Sequence, residues 1–173
     1  GDSLTVNVFL KYLGRFVILV LLQVLILNNI HLTDHGITPF FYILLIILLP
    51  FETPGWALLL FAFFLGFFID MFVDTGGVHA SATVFVAFLR PLILRVLKVR
   101  DGYAPETTPV IYHYGFSWFF KYASLIILLH HFVYVILIEF SFDHFFVSLL
   151  KIVSAGLITL SLVLISQFLI FRR

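Results

Sequence analysis

The chain has 173 residues, of which 62% are hydrophobic and only 11% are charged. Soluble domains carry roughly 25% charged residues, so this composition excludes a water-soluble fold and indicates an all-α integral membrane protein. The absence of cysteine excludes a disulfide framework, a thiol nucleophile and a cysteine-ligated metal. The net charge of +1 gives no electrostatic reason to expect a nucleic-acid partner.

The apolar segments predict a six-helix transmembrane bundle that forms a single domain over residues 1–173. A helix that crosses a bilayer needs about 20 apolar residues, and only the second segment falls well short of this. Its apolar run, 39–49, would cover about 16 Å as a helix, so it must be tilted, extended into its loops, or re-entrant. The predicted spans are 12–29, 37–50, 56–73, 78–97, 116–140 and 145–171.

The positions of the basic residues predict the orientation of these spans, because lysine and arginine concentrate in cytoplasmic loops. The connections 28–38, 50–55, 74–77 and 141–144 contain neither residue type. With six crossings and both termini in the cytoplasm, every basic cluster falls on the cytoplasmic side. Lys151 is the exception, and its long stem can snorkel to the opposite interface. The clusters are Lys11 and Arg15, then Arg95, Lys98 and Arg100, then Lys121, then Arg172 and Arg173.

The third span carries a stripe of small and acidic residues. Ala62, Gly66, Asp70 and Asp74 recur every four residues and therefore share one helix face. The pair Ala62 and Gly66 allows another helix to approach closely, so Asp70 faces the protein interior. We weigh two roles for Asp70: a structural carboxylate that accepts hydrogen bonds from a neighbouring backbone or hydroxyl group, and a partner-binding or switch residue.

A glycine turn joins the third and fourth spans. Asp74 is followed by Thr75, Gly76 and Gly77, a composition typical of a tight turn because glycine adopts positive φ without steric cost. His79 follows in the first turn of the next helix. Carboxylate and imidazole groups are zinc ligands, but no recognised ligand motif accompanies Asp70, Asp74 and His79, and we predict neither a metal nor another cofactor.

Three further polar groups lie inside apolar spans. Arg90 is expected to snorkel to the cytoplasmic headgroups, since its depth does not match that of Asp70, and Pro91 is expected to kink the helix. His130 and His131 are adjacent and point about 100° apart on a helix. We expect one of them to pack inside and form a hydrogen bond, with a proton-relay role as the alternative.

These motifs resemble those of the MreD family, the rod shape-determining membrane proteins of bacteria, in its Bacteroidetes-type branch. The resemblance covers residues 50–95 and rests on L-P-F-E-T-P at 49–54, on D-x-x-x-D-T-x-G-x-H-A at 70–80, and on F-L-R-P at 88–91. The length of the chain and its predicted number of spans also match those of the family. The family's motif residues fall here on Gly66, Asp70, Gly77, His79, Arg90 and Pro91.

The resemblance implies a non-catalytic scaffold or regulatory subunit of the cell-elongation complex in the bacterial inner membrane. Such a subunit acts with MreC, with the actin-like MreB, and with RodA and its class B penicillin-binding protein, in peptidoglycan synthesis and in contact with membrane lipid. The family also resembles the six-helix substrate-binding subunits of energy-coupling-factor vitamin transporters. This supplies a second hypothesis, in which Asp74, His79 and Glu139 line a small-molecule cavity. An intramembrane enzyme is a third, although no nucleophile or metal motif supports it.

Overall fold

The computed structural model describes residues 2–30, 37–141 and 143–171, with side chains from residue 6 onward. Within these ranges the chain is helical and contains no strand. Five of the helices are long and apolar enough to cross a membrane, which indicates a multi-pass helical membrane protein. The α-helices are α1 (Asp2–Leu25), α2 (Leu44–Leu48), α3 (Gly55–Val73), α4 (Val78–Val96), α5 (Ile111–Tyr114), α6 (Phe116–Glu139) and α7 (Phe145–Leu169).

The five long helices pack as a row of neighbours. Helix α1 lies against α3, α3 against α4, α4 against α6, and α6 against α7. The Arg15 guanidinium of α1 lies 5.0 Å from the centre of the Phe171 ring, so the chain just after α7 lies against α1. Of the charged residues used to predict the orientation, Arg172 and Arg173 lie outside the described residues.

The interior of the bundle is occupied by a short piece of chain, residues 39–49, which we call the central segment. It consists of a 3₁₀ turn (Phe41–Ile43) that continues into α2, and no side chain from 42 to 49 is more than 4% exposed. Its eight helical residues cover about 13 Å, less than half of the roughly 30 Å hydrocarbon core. The helix is continued by non-helical chain on both sides, as at Leu49, which is extended.

The central segment runs antiparallel to α1. Gln23, late in α1, donates to the carbonyl of Pro39 at 2.9 Å, whereas Tyr12, early in α1, donates to the carbonyl of Leu48 at 3.4 Å. The chain therefore reverses direction between α1 and the central segment. The segment joins the end of α1 to the start of α3.

Two ends of the bundle can be defined from these contacts. The α3–α4 turn at 74–77 places Asp70 and His79 at one end, which we call the Asp70 end. Arg90 lies eleven residues after His79 on α4, about 16 Å along the helix, and marks the Arg90 end. Helix α6 begins at the Arg90 end and finishes, at Glu139, at the Asp70 end.

Candidate functional site

The Asp70 carboxylate holds the first turn of α4 from the neighbouring helix. It accepts hydrogen bonds from the backbone amide of His79 at 2.9 Å, from that of Ala80 at 2.9 Å, and from the Thr75 hydroxyl at 2.5 Å. The first amides of a helix have no partner within it, and their partial positive charge favours a carboxylate. Asp70 is 5% exposed, and these contacts confirm the predicted hydrogen bonds from neighbouring backbone and hydroxyl groups, whereas a partner-binding or switch role stays a prediction.

His79 completes this arrangement. Its Nδ1 atom lies 3.0 Å from the Asp70 carboxylate and 2.9 Å from the Thr75 hydroxyl. In a hydrolase triad the carboxylate and the hydroxyl nucleophile use opposite nitrogens of the imidazole. Here both groups approach the same nitrogen, so the three residues are not arranged as a catalytic triad.

The connection between α3 and α4 has the predicted turn geometry. Gly76 and Gly77 have φ values of 61° and 97°, and Asp74 ends α3 in the left-handed conformation with φ 57°. The side chain of Asp74 is exposed while those of Asp70 and His79 are buried. Across the described ranges, no group of three histidine, aspartate or glutamate side chains could hold a metal ion.

Gly66 sets the distance between α3 and α4. A Cβ atom built on Gly66 would lie 2.5 Å from both the Ala80 nitrogen and the His79 carbonyl oxygen, closer than any real packing contact. One turn below, the Thr83 hydroxyl donates to the Ala62 carbonyl at 2.8 Å. The predicted close approach at Ala62 and Gly66 is confirmed, and we call the unit formed by Gly66, Asp70, Thr75, His79 and Ala80 the α3–α4 clamp.

Side chains from other helices satisfy the amide end of the central segment. The Phe40 amide donates to the Thr159 hydroxyl at 3.0 Å, and the Tyr42 amide donates to the Gln23 side chain at 3.4 Å. Backbone groups in a membrane interior must find partners within the protein. Gln23 and Thr159 therefore replace the water that would cap such a helix in a soluble protein.

Both members of the histidine pair are buried beside this end. His130 Nε2 lies 2.7 Å from the Tyr42 hydroxyl, and His131 Nδ1 lies 2.8 Å from the Ile127 carbonyl oxygen. We expected one of the two to pack inside and form a hydrogen bond, and both do: His130 faces Tyr42 of the central segment, and His131 Nε2 lies 3.3 Å from the Thr159 hydroxyl on α7. The Phe40 ring lies 5.6 Å from that of His130 and 5.0 Å from that of His131.

Arg90 satisfies the carbonyl end of the central segment. Its guanidinium donates to the Leu49 carbonyl and, at 2.8 Å, to the Tyr122 hydroxyl, which itself donates to the Ile47 carbonyl at 3.0 Å. Arg90 is 2% exposed, so the expectation that it snorkels to the headgroups is wrong. The carbonyl end of a helix carries partial negative charge, and this explains a cation at that position. Helix α4 continues through the exposed Pro91.

No family model matches the chain, and no curated protein or solved structure shows significant similarity to it.

The sequence alone does not predict the roles of several residues in these arrangements. The one local signal is a polar side chain within an apolar run, and it is clearest for Gln23 in α1. Their partners lie up to 119 positions away in the chain, so no local pattern pairs them. These residues are Tyr12, Gln23, Tyr42, Tyr122 and Thr159.

Glu139, considered for a transporter cavity, has a different partner. Its carboxylate lies 2.8 Å from the Lys151 ammonium and accepts a hydrogen bond from the Ser148 hydroxyl. Lys151 therefore forms an ion pair between α6 and α7. The buried His79 is held within the clamp by Asp70 and Thr75.

Proposed function

We propose that the chain is a non-catalytic scaffold subunit of MreD type, which acts with MreC in the bacterial cell-elongation complex. The observation that carries the proposal is the clamp itself. Gly66, Asp70 and His79, which carry much of the sequence resemblance, act together to fix one helix hairpin. Residues used in this way support a positioning role better than a chemical one.

The proposal includes an orientation with six crossings and both termini in the cytoplasm of the bacterial inner membrane. The direction of the central segment supports this, because it runs antiparallel to α1 and so brings α3 back to the side on which α1 began. Arg95, Lys98 and Arg100 are exposed near the Arg90 end, which agrees with a cytoplasmic location of that end. The resemblance to the MreD family also implies a fold like that of transporter substrate-binding subunits, and this stays an expectation.

The surface offered to a partner helix is, in this proposal, the exposed side of the α3–α4 hairpin. Phe67, Met71 and Phe72 on α3 are 40%, 63% and 62% exposed and lie outside the buried face that carries the clamp. Aromatic and methionine side chains provide large, adaptable packing surfaces. A hairpin held rigidly by Asp70 and Gly66 would keep this surface in one geometry for MreC, and through it for RodA, MreB and the class B penicillin-binding protein.

The transporter hypothesis has less support from the geometry. A small-molecule site needs a cavity with converging polar groups. In the part of the chain that the structure describes, the central segment fills the middle of the bundle, and the polar side chains around it, such as Gln23 and Arg90, bind its backbone.

Co-purification of MreC with the tagged chain tests the scaffold role. The tagged chain is co-expressed with MreC and recovered in mild detergent, alongside an Asp70→Leu variant and an Asp74→Asn control in which the exposed carboxylate is changed. We expect wild type and Asp74→Asn to retain MreC, and Asp70→Leu to insert in the membrane but to retain less of it. Equal retention by Asp70→Leu, at equal membrane levels, would contradict the role of the clamp.

A further inference from the structure

A paired carboxylate and ammonium lie at the Asp70 end of the bundle, on the side formed by α6 and α7. Glu139 and Lys151 are 2.8 Å apart, and their side chains are 21% and 37% exposed respectively. Ser148 also donates a hydrogen bond to Glu139, which fixes the position of the carboxylate. The two opposite charges are thus held side by side, and both can be reached from outside the protein.

An apolar groove between α6 and α7 begins directly beside this pair. It has a volume of about 120 Å³ and is lined by Glu139 and Ser148 and by apolar side chains that include Phe132, Val135, Leu149 and Ile152. A second recess of about 270 Å³, lined by Glu139, His144 and Lys151, adjoins it. The site therefore places a pair of opposite charges beside a small apolar groove.

We propose that this site binds one phospholipid with a zwitterionic, primary-ammonium headgroup, that is, a phosphatidylethanolamine. The lipid ammonium would donate hydrogen bonds to Glu139, the phosphate would accept from Lys151, and part of an acyl chain would lie in the groove. Charge-assisted hydrogen bonds are stronger than neutral ones, and this headgroup offers both charges at once. A choline headgroup has no N–H to donate, and the headgroup of phosphatidylglycerol brings a phosphate without a cation for Glu139.

Native mass spectrometry of the purified full chain tests the proposal with phosphatidylethanolamine, phosphatidylcholine and phosphatidylglycerol of identical acyl chains. We expect phosphatidylethanolamine to bind most tightly, and Glu139→Gln or Lys151→Gln to weaken its binding about tenfold, which corresponds to one lost charged hydrogen bond. The double variant Glu139→Lys with Lys151→Glu keeps both charges and is expected to recover most of the affinity.

A second pair of variants tests the groove separately from the charges. Leu149→Trp adds bulk to a groove residue, whereas Leu150→Trp places the same bulk on its neighbour, which is 61% exposed and does not line the groove. We expect only Leu149→Trp to reduce binding, with unchanged thermal stability in both variants. Equal binding of the three lipids, a preference for phosphatidylglycerol, or undiminished binding by Glu139→Gln would overturn the proposal.

Discussion

The Arg90 guanidinium donates a hydrogen bond to the carbonyl of Leu49, 41 residues earlier in the chain, at the end of the central segment. This contact helps explain how a helical stretch too short to cross a bilayer lies buried inside the helix bundle. Each end of such a helix leaves backbone groups without partners, and in a membrane interior each such group costs several kcal/mol. Arg90 and Tyr122 bind one end, and Thr159 and Gln23 bind the other.

Replacing Arg90 by glutamine is expected to destabilise the protein by about 1.5–3 kcal/mol, the contribution of hydrogen bonds to a charged group. For a chain of this size, that loss lowers the melting temperature by roughly 3–12 °C. Thermal unfolding in detergent measures it. Arg95→Gln, which changes an exposed arginine of the same helix, serves as the control, and equal melting temperatures for the two variants would contradict the role assigned to Arg90.

Thr159→Val tests the opposite end of the central segment while nearly preserving side-chain volume. The Phe40 amide would lose its acceptor, and a buried donor without a partner costs about 1–3 kcal/mol. Ser161→Ala removes a hydroxyl that is exposed and bonds only within its own helix. We expect a lower midpoint of thermal unfolding for Thr159→Val alone, and an unchanged midpoint would show that the Phe40 amide does not depend on Thr159.

Gly66→Ala is expected to be among the most damaging single-methyl changes in the chain. The new Cβ atom would meet the backbone of His79 and Ala80, which cannot move without separating α3 from α4, and overpacking of this kind costs about 1–3 kcal/mol or more. Gly14→Ala in α1 adds the same methyl group where no atom lies within 4 Å, and should be neutral or stabilising because alanine favours helix. Comparing the yield and thermal stability of the two variants tests this contrast, and a stable Gly66→Ala protein would refute the close packing.

Asp70→Asn keeps the shape of the side chain but removes its charge. In the wild-type protein, the Oδ1 atom of Asp70 accepts hydrogen bonds from the Thr75 hydroxyl and the His79 amide, and its Oδ2 atom accepts one from the Ala80 amide. An asparagine has only one acceptor oxygen, so we expect a loss of about 1.5–3 kcal/mol. Hydrogen–deuterium exchange should show faster exchange at the start of α4, whereas Asp74→Asn should leave it unchanged. Continued protection of the His79 and Ala80 amides in Asp70→Asn would contradict the clamp.

The sequence predicts the apolar helices and the clamp well, for identifiable reasons. Hydropathy marks the five long helices, and the four-residue spacing of Ala62, Gly66 and Asp70 assigns them to one helix face. The glycines at 76 and 77 mark a turn that only positive φ permits. All of these are local patterns, so a single segment contains the information needed to read them.

The environment of Arg90 and of the two histidines could not be predicted in the same way. A membrane helix is apolar on all sides, so periodicity does not reveal which side faces the protein interior. Arg90 is buried because the carbonyl end of another helix lies beside it, and His130 because Tyr42, 88 positions away, donates to it or accepts from it. Only the packed structure brings these groups together.

We have proposed that the chain is a scaffold of the cell-elongation machinery. Affinity purification of the tagged protein from its native membrane in mild detergent, with quantitative mass spectrometry, tests it most directly. We expect enrichment of MreC, together with RodA and its class B penicillin-binding partner. Enrichment of ATPase subunits with a membrane coupling protein, and no elongation protein, would contradict it and indicate a transporter subunit.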